Sequence, residues 1–344
     1  MTRVSVIIPT FNRLKDLQAV FAALEAQIRR DFEIIVVDNG STDGTEAALT
    51  ARMREPGPIP FRYIRIRPSG PAGARNAGID AARGEYLAFI DSDVELAPDW
   101  LAVCVAELDR DAGISAVGGV VIYGNDRGFV NSYGGVLSRI GLAWDACEGW
   151  PAERIDVPAT RLWINCSAVL MRREAVRAAG AFDGRFFYGF EDSDLGWRVS
   201  AIAGPQRVLP TAVAFHNVGD TIGAAADPLV FHGSKNRLAS LIANAGARML
   251  ALYLPLYLGY TLADIVLRAP RRPKLRGLLW NVANLGGTLR RRRQLAAVRR
   301  LDDRALAPLY ADTLFPEVRL GGMRRRPNRV QQVSENKIDD RAGS

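Results

Sequence analysis

The chain has 344 residues, 48% hydrophobic and 24% charged, with a formal net charge of +8. This length and balance fit one large α/β domain with an appendage and exclude a disordered or low-complexity chain. Three cysteines, Cys104, Cys147 and Cys166, fall at no metal or redox spacing, which excludes a disulfide framework and suits a reducing, cytoplasmic setting.

The first residues lack the apolar core of a signal peptide and run straight into a strand pattern. The run at 4–8 predicts a buried strand stopped by Pro9, after which Leu14, Leu17, Phe21, Leu24 and Ile28 recur at helical spacing. A second strand is expected over 32–37, a helix over 43–51, a third strand over 61–66 and a helix over 71–82. The fourth strand, 86–90, precedes a helix opened by Pro98. This alternation predicts an α/β fold, a mostly parallel sheet flanked by helices, with ligands at the carboxyl ends of the strands. Beyond Gly113 the pattern weakens into strand-like pieces at 114–123, 129–140 and 162–171, helices at 173–179 and 192–203, and a last strand at 207–216.

From 237 to 267 the sequence is helical and apolar. The 19 residues of 249–267 include Pro255, Gly259, Thr261 and Asp264, so they read as a poor spanning helix. Tyr253, Tyr257 and Tyr260 share one helical face and predict an interfacial or hairpin-like membrane contact. Residues 268–344 hold 19 of the 45 basic residues but 7 of the 37 acidic ones, a balance of +12 that leaves the first 267 residues at −4. A basic tail suits an anionic surface, membrane or nucleic acid. The organisation expected is a catalytic domain over 1–236, with halves of about 1–112 and 113–236, a helical extension over 237–320, and a disordered tail over 321–344.

Unusual polar residues gather at the predicted strand ends. Asp91 and Asp93 close an apolar strand, and two carboxylates at i and i+2 share one side, where they can hold a divalent cation and through it a diphosphate. A plain turn before the Pro98 helix is the alternative. The segment 38–44, Asp-Asn-Gly-Ser-Thr-Asp-Gly, offers acidic and amide groups suited to nucleoside hydroxyls and ring N–H groups, while Asp43 serves equally as a helix cap. The small residues of 72–78 suit either close packing or ligand approach. In 186–198, Glu191, Asp192 and Asp194 follow Phe187, Tyr188 and Phe190, a setting that raises a carboxylate pKa toward that of a general base; acids at a helix start also simply complement its dipole. His216 ends a strand, as a metal ligand or as a satisfied histidine.

The ordered set IIPTFNR, VVDNGSTDGT, AGARNAG, FIDSDVEL, FEDSDLGWR and a late histidine resembles the family-2 glycosyltransferases, inverting enzymes of the A-type glycosyltransferase fold; the stretch NCSAVLMRREAVRAAGAFDGRFFYGFEDSDLGWR looks like bacterial rhamnosyltransferase-type members. The resemblance covers about 3–240. It implies that Pro9, Thr10, Asn12, Asp38 and Ser41 line a nucleotide-sugar pocket, with Arg75 and Asn76 close by and Asp91 shared with the metal site. It further implies that Asp91, Asp93 and His216 bind Mg2+ or Mn2+, and that Asp192, in the Glu191–Asp192 pair, is the catalytic base. The Gln-x-x-Arg-Trp signature of processive synthases is absent, so one sugar per encounter is expected. The implied partners are a nucleoside-diphosphate sugar such as dTDP-rhamnose or a UDP-sugar, a lipid-linked or glycan acceptor in cell-wall or surface-polysaccharide synthesis, and an anionic membrane at the inner face of the cell membrane, with no nucleic acid. Two rival readings are a nucleotidyltransferase, for which 7–16 lacks the glycine- and lysine-rich phosphate loop, and a nonenzymatic basic binder, which leaves the acidic residues unexplained.

Overall fold

The computed structural model describes residues 2–54, 57–218 and 227–316. Its first half alternates strand and helix: β1 (Val4–Thr10), α1 (Leu14–Glu25), β2 (Phe32–Asp38), α2 (Thr45–Arg54), β3 (Phe61–Arg65), α3 (Gly70–Ala81) and β4 (Tyr86–Ile90). Along β1, Val4, Val6 and Ile8 face one core and Ile7 the other, and β2 and β4 divide their side chains the same way. Both faces are therefore buried, which is why these strands read as unbroken apolar runs.

The second half adds β5 (Val94–Leu96), α4 (Trp100–Arg110), β6 (Ala116–Tyr123), β7 (Asp126–Ser132), β8 (Gly135–Leu137), β9 (Ala143–Asp145), β10 (Ala159–Arg161), β11 (Ala168–Arg172), α5 (Arg173–Ala178), α6 (Glu191–Ala203) and β12 (Gln206–His216). The main sheet runs β10-β12-β6-β11-β4-β1-β2-β3, with β5 on β12 and β7 on β6; β8 and β9 form a separate pair. Pairing is parallel over β3-β2-β1-β4 and again between β6 and β12, whereas β11 lies antiparallel between β4 and β6. Strand order reverses at β1, whose neighbours β2 and β4 lie on either side, and the crevice at the carboxyl ends of β1 and β4 is the ligand position such a reversal creates.

Several boundaries differ from the sequence expectation. Pro9 does not stop β1: the ladder to β4 ends at Ile7↔Phe89, so a missing N–H is tolerated there, while pairing to β2 continues to Thr10↔Asp38. The piece 129–140 is two strands, split at Gly134, whose φ of 72° breaks the ladder. Only Ala168–Arg172 of 162–171 is strand, because Ser167 turns its hydroxyl to Asn165 and its carbonyl to the Asp91 N–H.

After β12, α7 (Asp227–Asn244), α8 (Ala247–Leu267), α9 (Arg271–Ala283) and α10 (Leu285–Val298) follow. Helix α7 runs through position 236 with Lys235, Asn236, Leu238 and Leu241 buried, so the extension is continuous with the catalytic half. Helix α8 is long and apolar enough, by length and composition, to cross a membrane, and Pro255 lies inside it. Its tyrosine face points the other way from the expectation: Tyr257 is buried, and Tyr253 and Tyr260 pack on a core with Trp197, Leu241, Leu306 and Tyr310. The face open to solvent carries Leu252, Leu256, Leu262 and Val266 instead. The tail expected to be disordered, 321–344, lies outside the described residues.

Candidate active site

One end of the crevice is built by two loops that cross-link each other. Asn12, at φ 54°, follows β1; its N–H donates to Ser41 Oγ at 2.9 Å and its Oδ1 accepts from the Thr42 N–H at 2.7 Å. An asparagine suits this left-handed position because a short polar side chain tolerates it. Asp38 is fully buried and spends its oxygens on the Ser41 N–H (2.7 Å) and Tyr63 Oη–H (2.8 Å), so it orders the loop from within. Asp43 accepts from the N–H groups of Leu14 and Thr45 and thereby caps both α1 and α2. Pro9 and Thr10 are buried at the same edge, and Thr10 Oγ1 has no hydrogen-bond partner.

Helix α3 enters the crevice through a tight contact. A Cβ on Gly70, at φ 74°, would stand 1.9 Å from the Phe187 carbonyl oxygen, and one on Gly78 would stand 2.3 Å from Ile7 Cγ2. The small residues here serve close packing. They let Arg75 reach inward, where Nη2 lies 2.8 Å from Asp91 Oδ1 and Nη1 lies 3.0 Å from Glu191 Oε1. Asn76 spends its amide on the Phe182 backbone, accepting from its N–H and donating to its carbonyl, and so fixes the segment leading to 186–198 rather than facing a ligand.

Glu191 and Asp192 open α6. Glu191 is buried and its Oε2 has no partner; burial, then the charge of Asp192, raises its pKa, with Arg75 opposing. Asp192 is partly exposed, accepts from the Ser193 N–H at 2.7 Å, and is likewise raised by burial against the pull of Arg75. Asp91 is raised for the same reason. Asp194, two residues on, is a structural partner: it accepts from Arg198 at 2.7 Å and from Asn244 at 2.8 Å, tying α6 to α7. The loop before α6 is held by Asn236, which donates to the carbonyls of Tyr188 and Gly189.

Asp93 and His216 meet because β5 pairs with β12, His216 opposite Val94, and the Asn217 N–H donates to the Asp93 carbonyl. His216 Nε2 lies 3.4 Å from Asp93 Oδ1, while Nδ1 lies 3.0 Å from Asn131 Oδ1. Burial lowers the His216 pKa, but the carboxylates, Asp93 first, raise it further. Since an amide oxygen only accepts, Nδ1 carries a hydrogen and the Nε2 position faces the Asp93 oxygen. A proton or a cation belongs between them. Among the described residues no three His, Cys, Asp or Glu side chains converge as a formed metal site. Of the expected set, Asp93 and His216 are brought together and Asp91 turns one oxygen to Arg75. The donor set of two carboxylates and one imidazole nevertheless fits a divalent cation that takes further oxygens from a diphosphate.

The sequence expectations did not include Asp145, which accepts from Asn165 Nδ2. The signal lay in AWDACEGW, acids set between aromatics as in 186–198.

A family model, Glycosyl transferase family 2, matches residues 5–177. The O-antigen biosynthesis protein RfbC of Myxococcus xanthus is 31% identical over 225 residues, 61% of this chain and 17% of that protein. A GalNAc(5)-diNAcBac-PP-undecaprenol beta-1,3-glucosyltransferase of Campylobacter jejuni is 36% identical over 96 residues, 28% of this chain and 31% of that protein. The chain thus spans less than a third of either relative. Among solved structures, the mannosyltransferase PcManGT from Pyrobaculum calidifontis, in complex with GDP-Man and Mn2+, aligns at TM-score 0.53 and 18% identity over 86% of this chain and 85% of that one. GalNAc-T7 with UDP, GalNAc and Mn2+ aligns at TM-score 0.60 and 16% identity over 75% and 51% of the two chains. At these identities the likeness concerns the fold.

Proposed function

Taking as premise that the chain belongs to glycosyl transferase family 2, and is therefore a glycosyltransferase, we propose that it moves one sugar from a nucleoside-diphosphate sugar to an acceptor hydroxyl with inversion, using Asp192 as base. The observation that carries this reading is the shared crevice. Arg75 joins Asp91 to Glu191 directly before Asp192, and Asp93 with His216 stands at the neighbouring strand ends. Asp93, His216 and the second oxygen of Asp91 would hold Mg2+ or Mn2+, which when bound neutralises charge on the departing diphosphate. Asp192, raised by burial, would accept the acceptor proton on the other side. Arg75 holds Glu191 and Asp91 in register, so the two ends of the reaction stay aligned. Release of nucleoside diphosphate from a panel including dTDP-rhamnose and UDP-sugars tests the reading; turnover should stop with chelator and return with Mn2+ or Mg2+.

The acceptor proposed is lipid-linked or a growing surface glycan, met at the inner face of the cell membrane. Supporting this is the outward face of α8 and α9: Leu252, Leu256 and Val266 on α8 and Leu275, Leu279 and Val282 on α9 are exposed. Arg271, Arg272 and Arg276 of α9 are exposed as well. An apolar stripe together with exposed arginines suits an interface with anionic lipid. A Campylobacter relative whose name specifies an undecaprenol-linked acceptor points the same way.

A further inference from the structure

Beside the end of β4 lies a set of polar side chains that neither order the loops after β1 and β2 nor hydrogen-bond Arg75. Asp145 ends β9, opposite Gly135 of β8. Asn165 Nδ2 donates to Asp145 Oδ1 at 2.9 Å, Ser167 Oγ donates to Asn165 Oδ1 at 2.6 Å, and the Asp91 N–H donates to the Ser167 carbonyl at 3.1 Å. Asp145 is thereby tied to the end of β4. Both ends of the Asn165 amide are used, so Asp145 is held as an acceptor.

Asp145 and Asn165 are partly exposed while Ala146, Cys147, Cys166 and Ser167 beside them are buried, so the pair borders open space within a packed wall. The charge of Asp192 acts on Asp145, and that of Asp145 acts on His216, so Asp145 lies within electrostatic reach of both ends of the crevice. Burial pushes Asp145 up to about 6, with hydrogen bonds from Ser132 and Asn165 opposing it and the charge of Asp192 adding to it. Asp145 is held by the Asn165 amide and the Ser132 hydroxyl, while the hairpin itself closes through the Ala146 N–H on the Gly134 carbonyl at 2.8 Å. A carboxylate kept near another carboxylate at such a cost points to use rather than to folding.

We infer that Asp145 is a specificity-determining residue that accepts a hydrogen bond from a ring hydroxyl of the sugar being transferred. The inference rests on the transferase reading, because a transferred ring must lie between the diphosphate and the acceptor, here between the Asp93–His216 end and Asp192. A site built to pair with a hydroxyl discriminates against the analogue that lacks or inverts it.

The test compares wild type with Asp145→Asn and Asp145→Ala on a panel of sugar nucleotides that share one nucleotide and differ by single epimers or deoxy positions. Affinity for the free nucleoside diphosphate with Mn2+ is measured alongside. Asp145→Ala should lower kcat/KM for the preferred donor by about 10- to 100-fold, the scale of a hydrogen bond to a charged acceptor. Its preference over the matching deoxy or epimeric sugar should shrink by the same factor, with nucleoside diphosphate affinity within about twofold of wild type. Asp145→Asn, which keeps shape and an acceptor oxygen, should fall between the two and guards against a folding defect in the alanine variant. An unchanged donor preference in both variants overturns the inference while leaving the transferase reading intact. Failure of wild type to turn over any sugar nucleotide overturns both.

Discussion

Arg75 Nη2 stands 2.8 Å from Asp91 Oδ1 and Nη1 3.0 Å from Glu191 Oε1, so one buried guanidinium, 16 residues from the first carboxylate and 116 from the second in sequence, joins the end of β4 to the start of α6. Its pKa stays above the ordinary value: burial works against the charge, but Asp91, Glu191 and Asp192 outweigh it. Arg75→Ala would leave two poorly solvated carboxylates facing each other and should destabilise the protein by about 3–5 kcal/mol, the scale for breaking a buried pair. Arg75→Lys should recover only part of this, since one ammonium cannot reproduce the planar fork. Urea unfolding of the three proteins decides it, and equal midpoints would show that the bridge contributes nothing.

Glu191 makes stability depend on pH. Its folded pKa is raised above the unfolded value, chiefly by burial and next by Asp192. The folded state therefore binds a proton more tightly, and the contribution is complete below the unfolded carboxylate value of about 4.3 and is lost as pH rises from there through neutrality. Glu191→Gln removes that titration. Without donor and with chelator present, Tm should fall from pH 5 to pH 8 less steeply in the variant than in wild type; an identical slope would contradict the assignment.

Much of this crevice was legible in the sequence because its residues sit where strand periodicity ends. The apolar runs of β1, β2 and β4 stop at Thr10, Asp38 and Asp91. An alternation of strand and helix is enough to bring such ends to one edge. What the sequence did not disclose depends on contacts between distant segments. The Arg75 bridge needs α3 to approach β1 through Gly78 and to meet Phe187 at Gly70. Asp145 sits on a hairpin of three-residue strands, too short for period-two patterning to register. The tyrosine stripe of α8 was correctly periodic, yet periodicity does not say which apolar stripe of a helix faces the core, and the leucine stripe lies outside.

The proposed membrane surface consists of side chains that can be changed without dismantling the core. Deleting α8 onward would strip the cluster around Trp197, Leu306 and Tyr310, so substitution is the cleaner probe. The quadruple variant L252Q, L256Q, L279Q and V282Q should keep its sugar-nucleotide affinity and lose flotation with anionic vesicles, whereas wild type floats and lets go as salt rises. Replacing Arg271, Arg272 and Arg276 together should weaken binding by about 1 kcal/mol per residue placed at the surface. Equal flotation of wild type and the quadruple variant would refute the surface.

The central claim is that Asp192 takes the acceptor proton while its neighbour Asp194 only anchors α6. Asp194 is buried and committed to Arg198 and Asn244, whereas Asp192 is partly exposed and, among the described residues, hydrogen-bonded to Ser193. The most direct measurement is the single-turnover rate of Asp192→Asn beside its affinity for the donor. The account predicts donor affinity within about threefold of wild type and a rate lower by roughly two to four decades, the scale of general-base loss. A rate within a few-fold of wild type at saturating donor and acceptor would contradict it.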